Sequence, residues 1–129
     1  MINLQKGQRI EVSLKKVCVG LGWNPNTGSG ENFDLDASAF MLNAKNKLPE
    51  DEYFVFYNNL TSPDGAVSSS GDDLTGGNSE DGDDETLTVD LSKVSENIQE
   101  IIFAVTIHMA EERRQNLGQV HNAYIRIYN

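Results

Sequence analysis

The sequence predicts an all-β protein, a β-sandwich with long acidic loops and one or two short helical turns. Short alternating or apolar runs recur along the chain, and Gly, Asn, Asp and Pro residues that favour turns separate them. This spacing is typical of two packed antiparallel sheets. With 129 residues the chain has the length of one domain, and we expect a single domain over residues 1–129.

Seven runs predict the strands, because each is apolar throughout or alternates apolar with polar residues. They are residues 10–14, 17–23, 34–43, 53–57, 86–91, 100–108 and 123–128. Between the fourth and fifth runs lies a long connection, 58–85, and structureless connections of this length are usually functional or disordered.

Two helical turns are expected in the second half of the chain. The first covers residues 92–98, where Ser92 can cap the turn. The second covers residues 110–117, which are rich in helix formers and are followed by Gly118. Both are short, so the prediction of an all-β protein stands.

The overall charge excludes several classes of function. A net charge of -10 and an isoelectric point near 4.4 argue against nucleic-acid binding, since phosphate contacts require clustered Lys and Arg. No run approaches the ~18 to 20 apolar residues of a membrane span, so we expect no membrane insertion and a cytoplasmic location. The single cysteine, Cys18, lies in an apolar run and is expected to be a buried, inert thiol.

Acidic residues are concentrated in the middle of the chain. Between Lys47 and Lys93 there are twelve Asp and Glu residues and no Lys or Arg. Two like charges ~4 Å apart repel each other by about 4 kcal/mol at an effective dielectric near 20, so a compact arrangement needs a cation. Ca²⁺ binds about 6 to 8 oxygens from carboxylates, carbonyls and Asn side chains, and residues 71–85 offer all three. The sequence therefore predicts a calcium-binding domain.

A solvated, disordered loop is the alternative for this acidic segment. Its glycines favour the metal, because they let the backbone turn carbonyl oxygens towards an ion. The segment is not an EF-hand, since Thr86 and Ser92 stand where a loop starting at Asp81 would need Gly and Glu.

A second acidic pattern lies in the run FDLDASAF, residues 33–40. Strand alternation puts Asp34, Asp36 and Ser38 on one face, and the two carboxylates are roughly 6 to 7 Å apart along the strand. A solvent-facing strand explains this pattern as well as a metal site does. The asparagine pair after the fourth strand, Asn58 and Asn59, adds oxygen donors and favours the metal site.

Several longer runs resemble one family when they are taken together and in order. GLGW, FDLDASAF, FYNNLTSPDGAV, GDDLTG with GDDETL, and IIFAVTIH with GQV cover most of residues 19–120. They resemble the TerD-type tellurium-resistance and bacterial stress-protein family. The resemblance implies a β-sandwich that binds Ca²⁺ through acidic loops, and a role in resistance to tellurite and other stresses.

The resemblance also implies a ligand set and a cofactor. We expect two Ca²⁺ ions. By position the ligands are Asp34, Asp36, Asn58, Asn59, Asp72, Asp73, Asp83, Asp84 and Glu85. Family members usually continue with further strands after the GQV run, so the TerD-like domain over 1–129 is expected to lack these C-terminal strands.

No pattern in the sequence indicates catalysis. There is no GxSxG, GxxxxGK[ST] or HExxH motif and no cysteine pair, and His108 and His121 are interpreted as structural. A hydrolase that uses two of the carboxylates is the enzymatic alternative. We expect a non-enzymatic, calcium-binding stress-response module whose partners are calcium ions and other stress-response proteins. The alternative is a calcium-stabilised scaffold that binds a nucleotide or a partner protein in a stress-response complex.

Overall fold

Two antiparallel sheets make up most of the structure, a computed structural model that describes residues 4–11, 13–24, 30, 32–70, 83–121 and 123–128. The strands are β1 (Lys16–Gly22), β2 (Leu35–Leu42), β3 (Phe54–Val55), β4 (Val67–Ser69), β5 (Glu85–Asp90), β6 (Glu100–Ile107) and β7 (Tyr124–Tyr128). The helical elements are α1 (Ala110–Arg113) and three 3₁₀ turns, Asp51–Tyr53, Leu91–Lys93 and Leu117–Gln119. The expected β-rich architecture with few helical turns is confirmed.

The strand order divides the elements into a four-stranded and a three-stranded sheet. The four-stranded sheet has the order β4-β5-β1-β7, and the three-stranded sheet has the order β3-β2-β6. β1 pairs with β5 and with β7, and β2 pairs with β6 over its whole length. β2 packs across the sandwich against β5, and β3 lies near β4, so β6 and β7 lie on the same side of the sandwich, each at an edge of its sheet among the described strands.

The core lies between the two sheets and follows the alternation of the strands. β1 contributes Val19 and Leu21, and β2 contributes Leu35, Ala39 and Met41, which are almost fully buried. Burying such a side chain stabilises the folded state by about 1.5 to 3 kcal/mol for the larger ones. The neighbours of these residues along each strand point away from the core, and they form the two outer faces of the sandwich.

Six of the seven predicted strands are present, with ends shifted by one or more residues. The predicted strand 10–14 is wrong, since Ile10, Glu11, Ser13 and Leu14 belong to no strand. A strand needs a backbone partner, and within the described residues no strand pairs with this segment. The long connection 58–85 contains one strand that was not predicted, β4, whose Val67 is buried and pairs with Val89.

Both predicted helical turns are shorter than expected. The first is a single 3₁₀ turn that Asp90, not Ser92, caps by accepting a hydrogen bond from the Ser92 N–H at 3.1 Å. The second contains one turn of helix, α1, because Met109 and Arg114 on either side of it have φ of 53° and 54°. None of the described helices could cross a membrane.

Cys18 was expected to be buried, and this is wrong in part. It lies between two core valines of β1, and it therefore points to the outer face of the four-stranded sheet. There the thiol is free and half-buried.

Candidate metal centre

The outer face of the three-stranded sheet carries a group of three potential metal ligands, Asp34, Asp36 and His108, which we call the Asp–His cluster. The pairing of β2 with β6 continues past the strand ends, because the His108 N–H donates to the Asp34 carbonyl at 2.8 Å. Asp34 and His108 are therefore opposite each other, and Asp36 follows on the same face. One ligand atom from each of the three side chains lies within 4.8 Å of the others.

The cluster is shielded from solvent. Asp34 is only 5% exposed, and the Oδ1 atoms of Asp34 and Asp36 are both buried. Two carboxylates this close, at low exposure, favour a shared positive charge. Their side chains offer hard oxygen ligands, whereas the imidazole of His108 is a ligand for borderline metals and does not suit Ca²⁺.

The sequence analysis interpreted His108 as structural and did not include it among the ligands. The sequence does show that His108 ends the strand run IIFAVTIH. That His108 lies beside Asp34 follows only from the register of β2 and β6. A shift of one residue in that register would move His108 to the core face.

The two asparagines of the predicted ligand set lie in the turn after β3. Asn58 is exposed and follows Tyr57, whose ring packs edge-on against His108 with centroids 6.5 Å apart. The Asn59 amide Nδ2 donates to the carbonyls of Glu52 and Phe54 at 2.8 and 2.9 Å. Asn58 thus follows a residue that contacts the cluster, and Asn59 holds the turn together.

Glu85 lies inside the sandwich rather than at the Asp–His cluster. It is directly opposite Leu21 at the start of β5, it is 4% exposed, and its Oε1 accepts a hydrogen bond from the Ala37 N–H at 3.0 Å. β3 pairs with Ala39 and Phe40 of β2, and Glu85 satisfies a backbone donor of β2 beyond this pairing. Its carboxylate and that of Asp36 lie on opposite faces of β2.

Asp83 lies on the outer face of the other sheet and is held by three side chains of β7. The Asp83 carboxylate accepts hydrogen bonds from Tyr124 Oη at 2.8 Å, Arg126 Nε at 2.9 Å and Tyr128 Oη at 2.9 Å. Its Oδ2 atom lies over Gly20, where any Cβ would overlap the carboxylate. We call this arrangement, Asp83 with Gly20, Tyr124, Arg126 and Tyr128, the Asp83 clamp.

The clamp changes the titration of its members. Burial by itself would raise the pKa of Asp83, but the hydrogen bonds from Arg126, Tyr124 and Tyr128 outweigh it and hold this pKa below its ordinary value. Burial, together with the hydrogen bond to Asp83, raises the pKa of Tyr124 to about 12. The Asp83 carboxylate is therefore charged and already neutralised by the protein's own guanidinium.

The structure thus separates the predicted ligands instead of gathering them at one point. Asp34 and Asp36 lie together on one outer face, Glu85 lies between the sheets, and Asp83 lies on the other outer face. Asp84 accepts a hydrogen bond from the Trp23 N–H at 2.9 Å, close to the end of β1. Asp72 and Asp73 fall outside the described residues.

Taken together, the fold and these sites define an acidic β-sandwich with a carboxylate cluster at the end of one sheet. The TerD domain model matches residues 1–129, and the chain belongs to the TerD domain family. The family inferred from the sequence runs is confirmed.

Named relatives agree with this assignment. The tellurium resistance protein TerD of Serratia marcescens is 48% identical over 99% of this chain, and so is the general stress protein 16U of Bacillus subtilis. A homologue of telluride resistance protein (TerD) from Streptomyces coelicolor has a solved structure that is 27% identical and superposes with a TM-score of 0.72 over 89% of this chain. The chain spans 68% of the length of the first two relatives and 66% of the solved one.

Proposed function

We propose that this protein is a calcium-binding, non-enzymatic module of the bacterial response to tellurite and other stresses, acting in the cytoplasm with other stress-response proteins. Membership in the TerD domain family and the names of its relatives support the stress-response role. The observation that carries the metal proposal is the approach of Asp34 and Asp36 within 4.8 Å at low exposure.

The residues of the cluster fit a calcium ion in part. Asp34 and Asp36 would hold it through carboxylate oxygens, and Asn58 in the neighbouring turn would add an amide or backbone oxygen. His108 would stay outside the coordination sphere and fix the end of β6 against β2. When bound, the ion supplies the positive charge that lets the two carboxylates remain ionised side by side.

The proposal assigns different roles to the predicted ligands. Asp34 and Asp36 belong to a calcium site on the three-stranded sheet, and Asp72, Asp73 and Asp84 are assigned to a second ion at the acidic segment. Asp83 is assigned to the protein's own structure because Arg126 neutralises it, and Glu85 because it is buried between the sheets, where it accepts from the Ala37 N–H. Under this proposal, two Ca²⁺ ions bind at two different positions.

The test compares thermal unfolding and calcium titration calorimetry of the wild type with Asp34→Asn/Asp36→Asn. For the wild type we expect EDTA to lower Tm and excess Ca²⁺ to restore it. Calcium at one hundred times Kd adds about 2.7 kcal/mol, which is several degrees for a chain of this length. In calorimetry the double variant should bind one calcium ion fewer than the wild type. The rise in Tm on adding Ca²⁺ should be smaller by the part that this ion contributes.

Asp51→Asn is the matched control, since Asp51 is an exposed acid in a 3₁₀ turn. It removes a negative charge from the same acidic protein and should leave both measurements unchanged. Wild-type melting curves that coincide in EDTA and in Ca²⁺ would contradict calcium binding altogether. A double variant that binds like the wild type would show that the ions lie elsewhere.

A further inference from the structure

The backbone that leads into Asp34 accepts a hydrogen bond at each of three consecutive carbonyl groups. The three pairs are Asn32 O with Arg113 Nη1 at 3.1 Å, Phe33 O with Trp23 Nε1 at 3.0 Å, and Asp34 O with His108 N at 2.8 Å. The donors lie in the loop after β6, directly after β1 and directly after β6. Asp34 therefore enters β2 with its backbone held at three successive positions.

The first of these bonds joins the Asp–His cluster to the loop that follows it, residues 109–119, which we call the α1 loop. Gln115 Nε2 donates to the same carbonyl of Asn32 at 3.4 Å. We call the two bonds, from Arg113 and from Gln115, the Asn32 latch. Asn32 precedes Asp34 by two residues, which is at most about 7 Å of chain. The latch thus links the loop that follows one side of the cluster to the segment that precedes the other side.

The conformation of the α1 loop suits this contact. Met109 has a φ of 53°, an unfavourable value for a residue other than glycine, and it turns the chain directly after the cluster. The Met109 carbonyl accepts from the Arg113 N–H at 2.9 Å, and the Ala110 carbonyl accepts from the Gln115 N–H at 2.8 Å. Arg113 and Gln115 are both half-buried. The two residues of the latch are therefore anchored through their own backbone as well.

A metal site depends on how closely its ligands are held in place. Calcium binds carboxylate oxygens at roughly 2.3 to 2.6 Å, so a shift of the backbone at Asp34 moves a ligand out of range. Groups that only orient a ligand are worth about 10- to 100-fold in metal affinity. Coupling of this kind is reciprocal, because whatever strengthens the binding of an ion is itself stabilised by the bound ion.

We propose that the Asn32 latch positions Asp34 for the cation, so that Arg113 is a positioning residue of the calcium site and calcium in turn stabilises the α1 loop. This inference rests on the proposed calcium site at Asp34 and Asp36. The loop carries the exposed side chains of Glu111 and Arg114. It is then a surface that is more ordered with calcium than without it.

Calorimetry of Arg113→Met tests the positioning role, because this change removes the donors and keeps the aliphatic part of the side chain. The relevant ion is the one whose binding Asp34→Asn/Asp36→Asn abolishes. We expect its Kd to rise about tenfold in Arg113→Met. Electrostatics alone predicts the opposite sign, since the loss of a positive charge near two carboxylates favours a cation.

Arg114→Met is the matched control. It removes the same charge one residue further along the chain, from an exposed side chain outside the latch, and it should not raise Kd. Arg113→Lys restores a charged donor and should bind calcium more tightly than Arg113→Met. An Arg113→Met protein with the wild-type Kd, whose Tm is lowered equally in EDTA and in Ca²⁺, would give Arg113 a merely structural role and overturn the inference, while the calcium site would stand.

Hydrogen exchange in EDTA tests the latch without the metal. Arg113→Met should speed the exchange of the His108 and Gln115 amides several-fold, and Arg114→Met should not. Adding Ca²⁺ should slow the exchange of the Gln115 amide in the wild type, and by much less in Arg113→Met.

The outcomes separate this inference from the proposed function. Equal exchange in Arg113→Met and in the wild type would overturn the latch, whether or not calcium binds. A wild type that binds no calcium would contradict the proposed function and with it the positioning role of Arg113. The exchange rates in EDTA would then still decide whether the latch holds the α1 loop.

Discussion

Two acidic sites of this protein have similar sequences and different environments. Asp83 begins the run DDETL and Asp34 begins the run DLDAS, and both are buried at the start of a strand. The Asp83 carboxylate lies against a guanidinium and two phenols from β7. The Asp34 carboxylate lies against a second carboxylate and an imidazole. One site supplies its own positive charge, and the other is suited to receive one.

The difference shows that a count of acids does not locate a cation site. What decides the role of Asp83 is Arg126, a residue 43 positions further along the chain that the pairing of β1 with β7 brings beside it. From the run GDDETL alone, the contact of Asp83 with a guanidinium of β7 could not be predicted. If Asp83 serves the protein's own structure, variants of the clamp should change stability equally in EDTA and in Ca²⁺, unlike variants of the Asp–His cluster.

The largest effect is expected for Asp83→Ala. This change removes the acceptor of the hydrogen bonds from Tyr124, Arg126 and Tyr128, and hydrogen bonds to a charged group contribute about 1.5 to 3 kcal/mol each. The donors can turn to solvent, since Tyr124 is 38% exposed, so we expect a loss of about 2 to 3 kcal/mol in total. Urea unfolding should give the same loss in EDTA and in Ca²⁺. A loss seen only in Ca²⁺ would make Asp83 a metal ligand after all.

A smaller effect is expected for Gly20→Ala. The new Cβ overlaps the Asp83 carboxylate, which the hydrogen bonds of β7 hold in place, so the clamp must shift. Overpacking of this kind costs about 1 to 3 kcal/mol. In the Asp83→Ala background the space is open, and Gly20→Ala should be nearly neutral. If the free-energy losses of Gly20→Ala and Asp83→Ala are additive, overlap with the Asp83 carboxylate is not what disfavours a side chain at residue 20.

Much of the fold could be predicted from local pattern. The runs that became β1, β2, β5 and β6 alternate or are apolar over six residues or more, and this signal is strong. The segment 10–14 has the same pattern, but no strand of the described residues pairs with it, so local pattern alone misled. β4 has only three residues and no pattern of its own, because its pairing with β5 creates it.

The candidate site was less predictable than the fold. Asp34 and Asp36 could be predicted to share a face, because that depends only on alternation along one strand. The approach of His108 depends on the register of two strands, and the positions of Asp83 and Glu85 away from the Asp–His cluster depend on contacts across and between sheets. Such contacts link residues 41 or more positions apart, where sequence spacing carries no information.

The smallest effect is expected at high pH and concerns Tyr124. Its pKa is raised to about 12 from an ordinary value of 10.0, so the folded state favours the neutral phenol. The stabilisation is fully present below pH 10 and is lost as the pH rises through about 12. Because the side chain is partly exposed, we expect less than about 1 kcal/mol.

The difference in unfolding free energy between wild type and Tyr124→Phe should therefore change over this interval in EDTA and in Ca²⁺ alike. An absorbance titration of the phenolates should show one tyrosine fewer with a raised pKa in the variant than in the wild type. A Tyr124 that titrates near pH 10 would show that its hydrogen bond to Asp83 does not persist in solution.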